Sequence, residues 1–242
     1  YNALSAMLRG FGDSKSPLVF VAIASVCNVI GDLILVAVFK MGAPGAALAT
    51  ILSQGLSAVL AVIYLKKQSF HFDFKLDSFR IKREKLKNLL KIGLPMCVQM
   101  SMTTVSFMFI MATVSVMGGV VASAAIGITS KINGFVMLPP IAFSAAISAM
   151  VSQNMGAGRP KRAIKCLYVG ISVTLIFGVI SFALLQFFSP AVIKIFTPDI
   201  ELIRATSLYL KSFSIDCILV CFVFCLNGFF NGCGHTRFSM IN

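Results

Sequence analysis

The sequence predicts an all-α, polytopic membrane protein built from two pseudo-symmetric lobes, and three observations carry that reading. Of 242 residues, 58% are hydrophobic and only 12% charged, with a mean hydropathy of +0.93, outside the range of soluble globular domains. Low-charge apolar runs recur at the length of about 20 residues that a membrane-spanning helix needs, whereas a soluble core would have to surround every such helix on all faces. The third observation is one device seen near both ends. Residues 1–17 read YNALSAMLRGFGDSKSP and residues 226–242 read LNGFFNGCGHTRFSMIN. In each, an apolar helix ends at a polar or basic residue (Arg9, Asn231) and a Gly-x-Gly hinge follows (Gly10 and Gly12; Gly232 and Gly234). Then come a polar residue (Asp13, His235), a hydroxyl (Ser14, Thr236) and a base (Lys15, Arg237). The separation is too long for a solenoid repeat and suits the two halves of a duplicated membrane protein.

Residues 17–39 form the first complete span, with Pro17 in a first helical turn, where no N–H is needed. A turn over Lys40–Gly45 leads to a second span, 46–65, rich in small residues (Ala46, Ala47, Ala49, Ser53, Gly55, Ser57, Ala58), as expected where helices approach closely in lipid. Residues 66–91 are a basic connector, with an amphipathic surface helix in its second half. A third span, 92–117, opens on Gly93-Leu94-Pro95, and Gly118-Gly119 turn the chain. The fourth apolar stretch, 121–153, is too long for one straight crossing at ~1.5 Å per residue, and Pro139-Pro140 predict a kink or break. Residues 156–162 are a second basic turn. The fifth span is 166–188, residues 189–204 an interfacial loop, and the sixth span 207–230.

Basic residues fall on one side of these spans: Arg9 and Lys15, the run within 66–91, Arg159, Lys161, Arg162, Lys165 and Arg237. The other side has Lys40, Lys194 and Arg204, while Lys131 and Lys211 lie within spans. The positive-inside rule puts the hinges and the connector in the cytoplasm. Six crossings between the hinges return the chain to the same side, so the repeat is parallel, about an axis along the membrane normal. The formal charge of +13 alone would suit a nucleic-acid partner. Its concentration in loops between apolar spans is instead the pattern of a chain facing anionic headgroups, and no nucleic acid is expected.

Charged groups at membrane depth are few, and each usually faces a cavity or a partner. Asn28 and Asp32 lie at i and i+4 on one helix face, and Thr50 on the returning span reaches the same depth. An acid, an amide and a hydroxyl are hard oxygen donors suited to a small cation or a proton; alternatively Asp32 sits at the interface and caps neighbouring backbone. In the later spans, Lys131 and Asp216 either form a buried pair or each line a cavity, with Gln99, Thr103, Thr104, Asn133 and Asn227 adding hydrogen-bonding capacity. The seven cysteines include no Cys-x-x-Cys and read as packing residues. Cys217, Cys221 and Cys225 form a stripe on a single helix, which cannot surround an ion, so no metal is expected. The two histidines lie outside the spans, and no catalytic constellation suggests an enzyme.

In order and spacing, five stretches resemble the MATE (multidrug and toxic compound extrusion) family. They are Leu8-Arg9-Gly10-Phe11-Gly12-Asp13-Ser14-Lys15, Asn28 to Asp32, Met41 to Thr50, Gly93-Leu94-Pro95, and Gly156 to Ala163. The resemblance implies twelve helices in two six-helix lobes, of which this chain is an internal piece from the end of helix four to the start of helix eleven. Residues 1–65 would then complete the N-lobe, 66–91 connect the lobes, and 92–242 belong to the C-lobe. It also implies a cation-coupled antiporter, driven by H⁺ or Na⁺ and with no other cofactor. The cargo would be organic, cationic, amphipathic small molecules, exported by alternating access. The protein would be a monomer at full length, embedded in the lipid bilayer of a bacterial inner membrane. Asn28, Asp32 and Thr50 fall where prokaryotic members place N-lobe cation-site residues; Gln99, Thr103, Lys131, Asn133 and Asp216 would line the substrate cavity. NorM-type members carry a glutamate where this chain has Thr103, and their tenth-helix aspartate falls near Val220, so a NorM-type C-lobe cation site is not expected. Two other readings remain: a flippase of lipid-linked oligosaccharides, which would need a more cationic cavity, and, more distantly, a membrane-embedded enzyme.

Overall fold

The computed structural model describes residues 2–67 and 82–241, which divide into two compact units, Tyr1–Ile81 and Lys82–Asn242. Every regular element among the described residues is helical. Most of the connector expected over 66–91 lies outside the described residues.

Among its described residues the first unit has three α-helices: α1 (Asn2–Gly10), α2 (Lys15–Asp32) and α3 (Gly42–Lys67). α2 continues as a π-helical turn, Leu33–Val38. The row that α3 buries falls at every fourth position, the small residues Gly45, Ala49, Ser53, Ser57 and Ala61 and then Leu65, each stacked over the next in a ridge that winds about 40° per step around the helix. Of the expected small residues, Ala49, Ser53 and Ser57 belong to this row, whereas Ala47 and Gly55 face outward. Contact with α2 is close: a methyl group on Gly31 would sit 3.1 Å from the Ala49 Cβ, and one on Gly45 would sit 3.1 Å from the Leu35 carbonyl oxygen. Near the hinge the pair closes over a small core of Leu8, Phe20, Ala61 and Leu65, with Phe20 and Tyr64 edge to face at 5.5 Å.

The second unit contains α4 (Arg83–Gly119), α5 (Val121–Gly156), α6 (Pro160–Phe187), α7 (Ser189–Lys194), α8 (Ile200–Phe213), α9 (Asp216–Gly232) and α10 (Thr236–Ile241). The break between α4 and α5 is at Gly119, whose φ of 64° and ψ of −158° are not helical; this is the left-handed half of conformational space, where glycine has no steric penalty. Pro139 and Pro140, expected to kink or break the fourth span, stay within helical dihedrals, as Gly119 is the only departure inside Arg83–Gly156. Each proline removes one donor, and α5 keeps the rest of its ladder. The stretch 189–204, expected to be a loop, instead holds α7 and the start of α8, whose first turn is capped by Asp199 accepting from Glu201 N at 2.9 Å. The sixth span is not one rod: α8 and α9 meet at 46° across Ser214-Ile215. Among the described residues, five helices are long and apolar enough to cross a membrane, or six if this bent pair is one span.

Glycines set the packing of α5, α6 and α9. A methyl on Gly178 would lie 2.6 Å from the Cys221 sulfur, one on Gly228 2.5 Å from the Ser144 carbonyl oxygen, and one on Gly232 2.7 Å from the Ser148 carbonyl oxygen. The cysteine stripe is buried against α6: Cys221 Sγ donates to Thr174 O at 3.4 Å and Cys225 Sγ to Thr174 Oγ1 at 3.5 Å. These cysteines occupy space where a larger residue would force the helices apart.

The two hinges share one backbone design. Gly12 and Gly234 have φ of 91° and 79°. The next N–H reaches back five residues, Asp13 N to Leu8 O at 3.0 Å and His235 N to Phe230 O at 2.9 Å, and each glycine N–H reaches back three. That is the Schellman end of a helix, with glycine in the left-handed position. The turn between α5 and α6 repeats it with Gly158 (φ 69°) and Arg159 N donating to Asn154 O at 2.8 Å.

Candidate functional site

Asn28 and Asp32 stand one turn apart near the end of α2, and Thr50 meets Asn28 from the first turns of α3. By helical rise Asp32 is ~26 Å along the axis from Lys15. Asn28 Nδ2 donates to Thr50 Oγ1 at 3.4 Å, and that hydroxyl donates in turn to the Ala46 carbonyl at 2.9 Å. With its amide nitrogen turned to Thr50, Asn28 keeps its side-chain carbonyl oxygen for another partner. Asp32 Oδ1 is buried and has no hydrogen-bond partner among the described residues. A carboxylate oxygen removed from water without a partner is costly, more so in a membrane span. The π-turn Leu33–Val38 begins immediately after it; such turns concentrate at functional positions. Gly31 and Gly45 keep the two helices close enough for side chains from both to meet. An amide and a hydroxyl thus meet across the helix pair one turn from the Asp32 carboxylate, a set of oxygen donors suited to a proton or a small hard cation.

The acidic residue of the first hinge has a different task. Asp13 Oδ1 accepts from Ser16 N at 3.0 Å and Oδ2 from Tyr64 Oη at 2.8 Å. The carboxylate caps the start of α2 and ties it to the far end of α3. Hydrogen bonding from Ser16, more than that from Tyr64, holds the Asp13 carboxyl below its ordinary value of 3.8. Sequence reasoning missed this role; the Asp-x-x-Ser spacing ahead of an apolar run is the capping signal that could have found it.

In the second unit the expected cavity residues are spread out. Gln99 and Thr103 share one face of α4, and the Thr103 hydroxyl donates to the Gln99 backbone carbonyl at 3.0 Å. Lys131 is exposed on α5 and forms no ion pair with Asp216 among the described residues. Asp216 is half-buried in the first turn of α9, beside the 46° break, where the helix dipole favours an acid. The break itself is held by Ser214, whose hydroxyl donates to Gln186 Oε1 at 2.9 Å. Asn133 Oδ1, Asn227 Oδ1 and Asn231 Oδ1 are buried without hydrogen-bond partners among the described residues. Two grooves border α5 and α6. One, of about 480 Å³, includes Phe143, Ile147, Arg162 and Lys165; the other, of about 270 Å³, includes Phe135, Leu184, Val192 and Phe196. None of the five expected cavity residues lines either groove.

Residues 95–242, more than half of the chain, match the family model MatE. The chain is 38% identical over 166 residues to the Bacillus subtilis (strain 168) protein named Probable multidrug resistance protein YpnP, covering 67% of this chain and 36% of that protein. To the Thermotoga maritima protein named Probable multidrug resistance protein NorM it is 27% identical, across 98% of this chain and 52% of the relative. Its fold is similar to an outward-facing multidrug resistance MATE family transporter of the MOP superfamily. The TM-score is 0.91 at 23% identity, over 99% of this chain and 54% of that one. The chain spans about half, or less, of the length of these relatives.

Proposed function

The chain belongs to the MatE family, and we propose that the whole transporter exports small organic compounds by cation-coupled alternating access, with Asp32 as the coupling acid. The observation that supports this is the buried Asp32 oxygen without a partner among the described residues, one turn from the Asn28–Thr50 contact. A lone carboxylate in an apolar span is stabilised by taking up H⁺ or a small cation such as Na⁺ and destabilised by losing it. If the inward-open and outward-open states hold that cation with different strength, its entry and exit bias the equilibrium between them. Asn28 and Thr50 supply further oxygen donors to the same site.

Substrate chemistry follows from the same economy of charge. An acid that alternates between being neutralised and exposed favours cationic cargo, and the many Met and Phe side chains (12 and 22) suit an amphipathic body of variable shape. In the second unit Gln99, Thr103, Asn133 and Asp216 are the polar groups from which a substrate path would be built, with Lys131 at its edge; the unpartnered Asn133 oxygen supports this. The hinges and the turn at Gly158 face the cytoplasm of a bacterial inner membrane, by the distribution of basic residues, and the transporter works as a monomer. The test uses the full-length protein in vesicles, with efflux of a lipophilic organic cation measured under separately imposed proton and sodium gradients. One gradient should drive efflux and its collapse should stop it; efflux indifferent to both gradients contradicts the proposal.

A further inference from the structure

The larger groove combines two features that do not occur together elsewhere among the described grooves. Its walls are apolar, with Phe143, Ile147 and Met150 from α5 and Val169 and Val173 from α6, and its mouth carries Arg162 and Lys165. From Arg162 to Val173 the groove runs ~16 Å along α6, about half of a hydrocarbon core of ~30 Å. Its deep end is marked by Phe143 against Phe177, ring centroids 6.1 Å apart, and its floor by Gly170 lying on Ile147, where even a methyl group would collide. Arg159 and Lys161 flank the mouth, and none of the four bases is paired with an acid among the described residues. The smaller groove, toward the other end of α6, is lined by apolar residues and one serine, with no charged group.

We propose that the groove between α5 and α6 binds one anionic phospholipid, its phosphate held by Arg162 and Lys165 and an acyl chain laid along the apolar walls. Charge and depth argue for this occupant. A zwitterionic lipid would leave two bases uncompensated at the mouth, and a soluble anion would leave the apolar trough without a partner. A guanidinium and an ammonium one turn apart can share a phosphate, the first as a bidentate donor and the second as a point charge. The bound lipid would act as a wedge that stabilises the α5–α6 pair, independently of the cation chemistry at Asp32.

The full-length transporter carrying Val169→Trp, in phosphatidylcholine vesicles, provides the test. Quenching of the added tryptophan, relative to the same protein without it, is followed as brominated phosphatidylglycerol or brominated phosphatidylcholine is titrated in. Half-maximal quenching is expected at a several-fold lower mole fraction of phosphatidylglycerol. Arg162→Gln with Lys165→Gln should erase that preference, and Arg162→Lys should keep part of it. A tryptophan at Phe196→Trp, in the uncharged groove, should be quenched alike by both lipids. Equal quenching at Val169→Trp, a preference that survives the double substitution, or no quenching by either lipid because protein covers the groove, would each overturn the proposal. In parallel, phosphatidylglycerol should raise the thermal midpoint of the unlabelled parent and not that of Arg162→Gln/Lys165→Gln; a rise in both is a second contrary result. Symmetric vesicles make this reading independent of sidedness, which impermeant maleimide labelling of Lys161→Cys measures separately.

Discussion

Helices α2 and α3 meet through Gly31 against Ala49 and Gly45 against Leu35, while α5, α6 and α9 meet through Gly170, Gly178, Gly228 and Gly232. The second set is the tighter: a methyl on Gly178, Gly228 or Gly232 would lie 2.5–2.9 Å from a backbone oxygen, where one on Gly45 would lie 3.1 Å away. In the tighter set Thr174 donates to Gly170 O and Cys221 and Cys225 lean on Thr174, while the groups left without partners among the described residues, Asn227 and Asn231 Oδ1 on α9, are neutral amide oxygens. In the looser pair an amide and a hydroxyl meet one turn from an acid, and a carboxylate oxygen of that acid has no partner among the described residues. Close approach is what membrane helices do in general. What sets Asp32 apart from the unpartnered amide oxygens is its charge, which an apolar span makes costly to leave uncompensated.

Substitutions that fill the close approaches should separate the two regions by magnitude. Gly228→Val puts a branched side chain against the Ser144 backbone, which cannot yield as a flexible side chain would, and should cost about 3 kcal/mol or more, read as a fall in the thermal midpoint of the purified full-length protein. Gly127→Ala on α5 meets nothing within 4 Å and should be neutral or stabilising by up to about 1 kcal/mol. Equal losses for both would break the packing account. In the first unit, Gly31→Ala displaces only the Ala49 Cβ by a few tenths of an ångström and should cost less than Gly228→Val; its effect should appear first in transport, because it shifts Asp32 relative to Thr50.

Smaller effects probe the polar contacts. Thr50→Val removes the acceptor of a long, exposed hydrogen bond, worth about 0.5–1 kcal/mol at most, and should weaken cation-driven efflux several-fold without abolishing it. Tyr64→Phe removes a donor to Asp13, whose carboxyl titrates below 3.8 in the folded protein. A lowered folded-state value means the stabilisation is present above 3.8 and is lost as pH falls through the folded value. Thermal midpoints should therefore converge between the parent and Asp13→Asn as pH drops below ~3.8. Tyr64→Phe should lie between the two at neutral pH, and a constant gap at all pH values would show that the cap is not electrostatic.

The spans and the hinge repeat were legible because composition and glycine spacing are local signals. Gly118-Gly119 marked the true break, whereas Pro139-Pro140, which suggested a kink or a break, leave α5 within helical dihedrals: losing two donors in a long helix does not outweigh the remaining ladder. The 46° bend at Ser214-Ile215 has no proline or glycine to announce it, and 189–204 looked like a loop because Pro190 and Pro198 mask two helix starts. Asn28 and Asp32 stood out as polar residues in an apolar run one turn apart. The π-turn after Asp32 has no sequence signature in Leu33–Val38, and the Asp13–Tyr64 tie joins residues 51 positions apart, beyond any periodicity argument.

The contrast between the two units is tested most directly by comparing Asp32→Asn with Asp216→Asn in full-length protein reconstituted in vesicles, measuring gradient-driven substrate efflux and, separately, substrate binding without a gradient. Asp32→Asn should abolish gradient-driven efflux while leaving expression and binding near the parent's, and Asp216→Asn should retain gradient-driven efflux with altered substrate affinity. Undiminished efflux by Asp32→Asn, or its loss only in Asp216→Asn, would contradict the assignment of the coupling acid to α2.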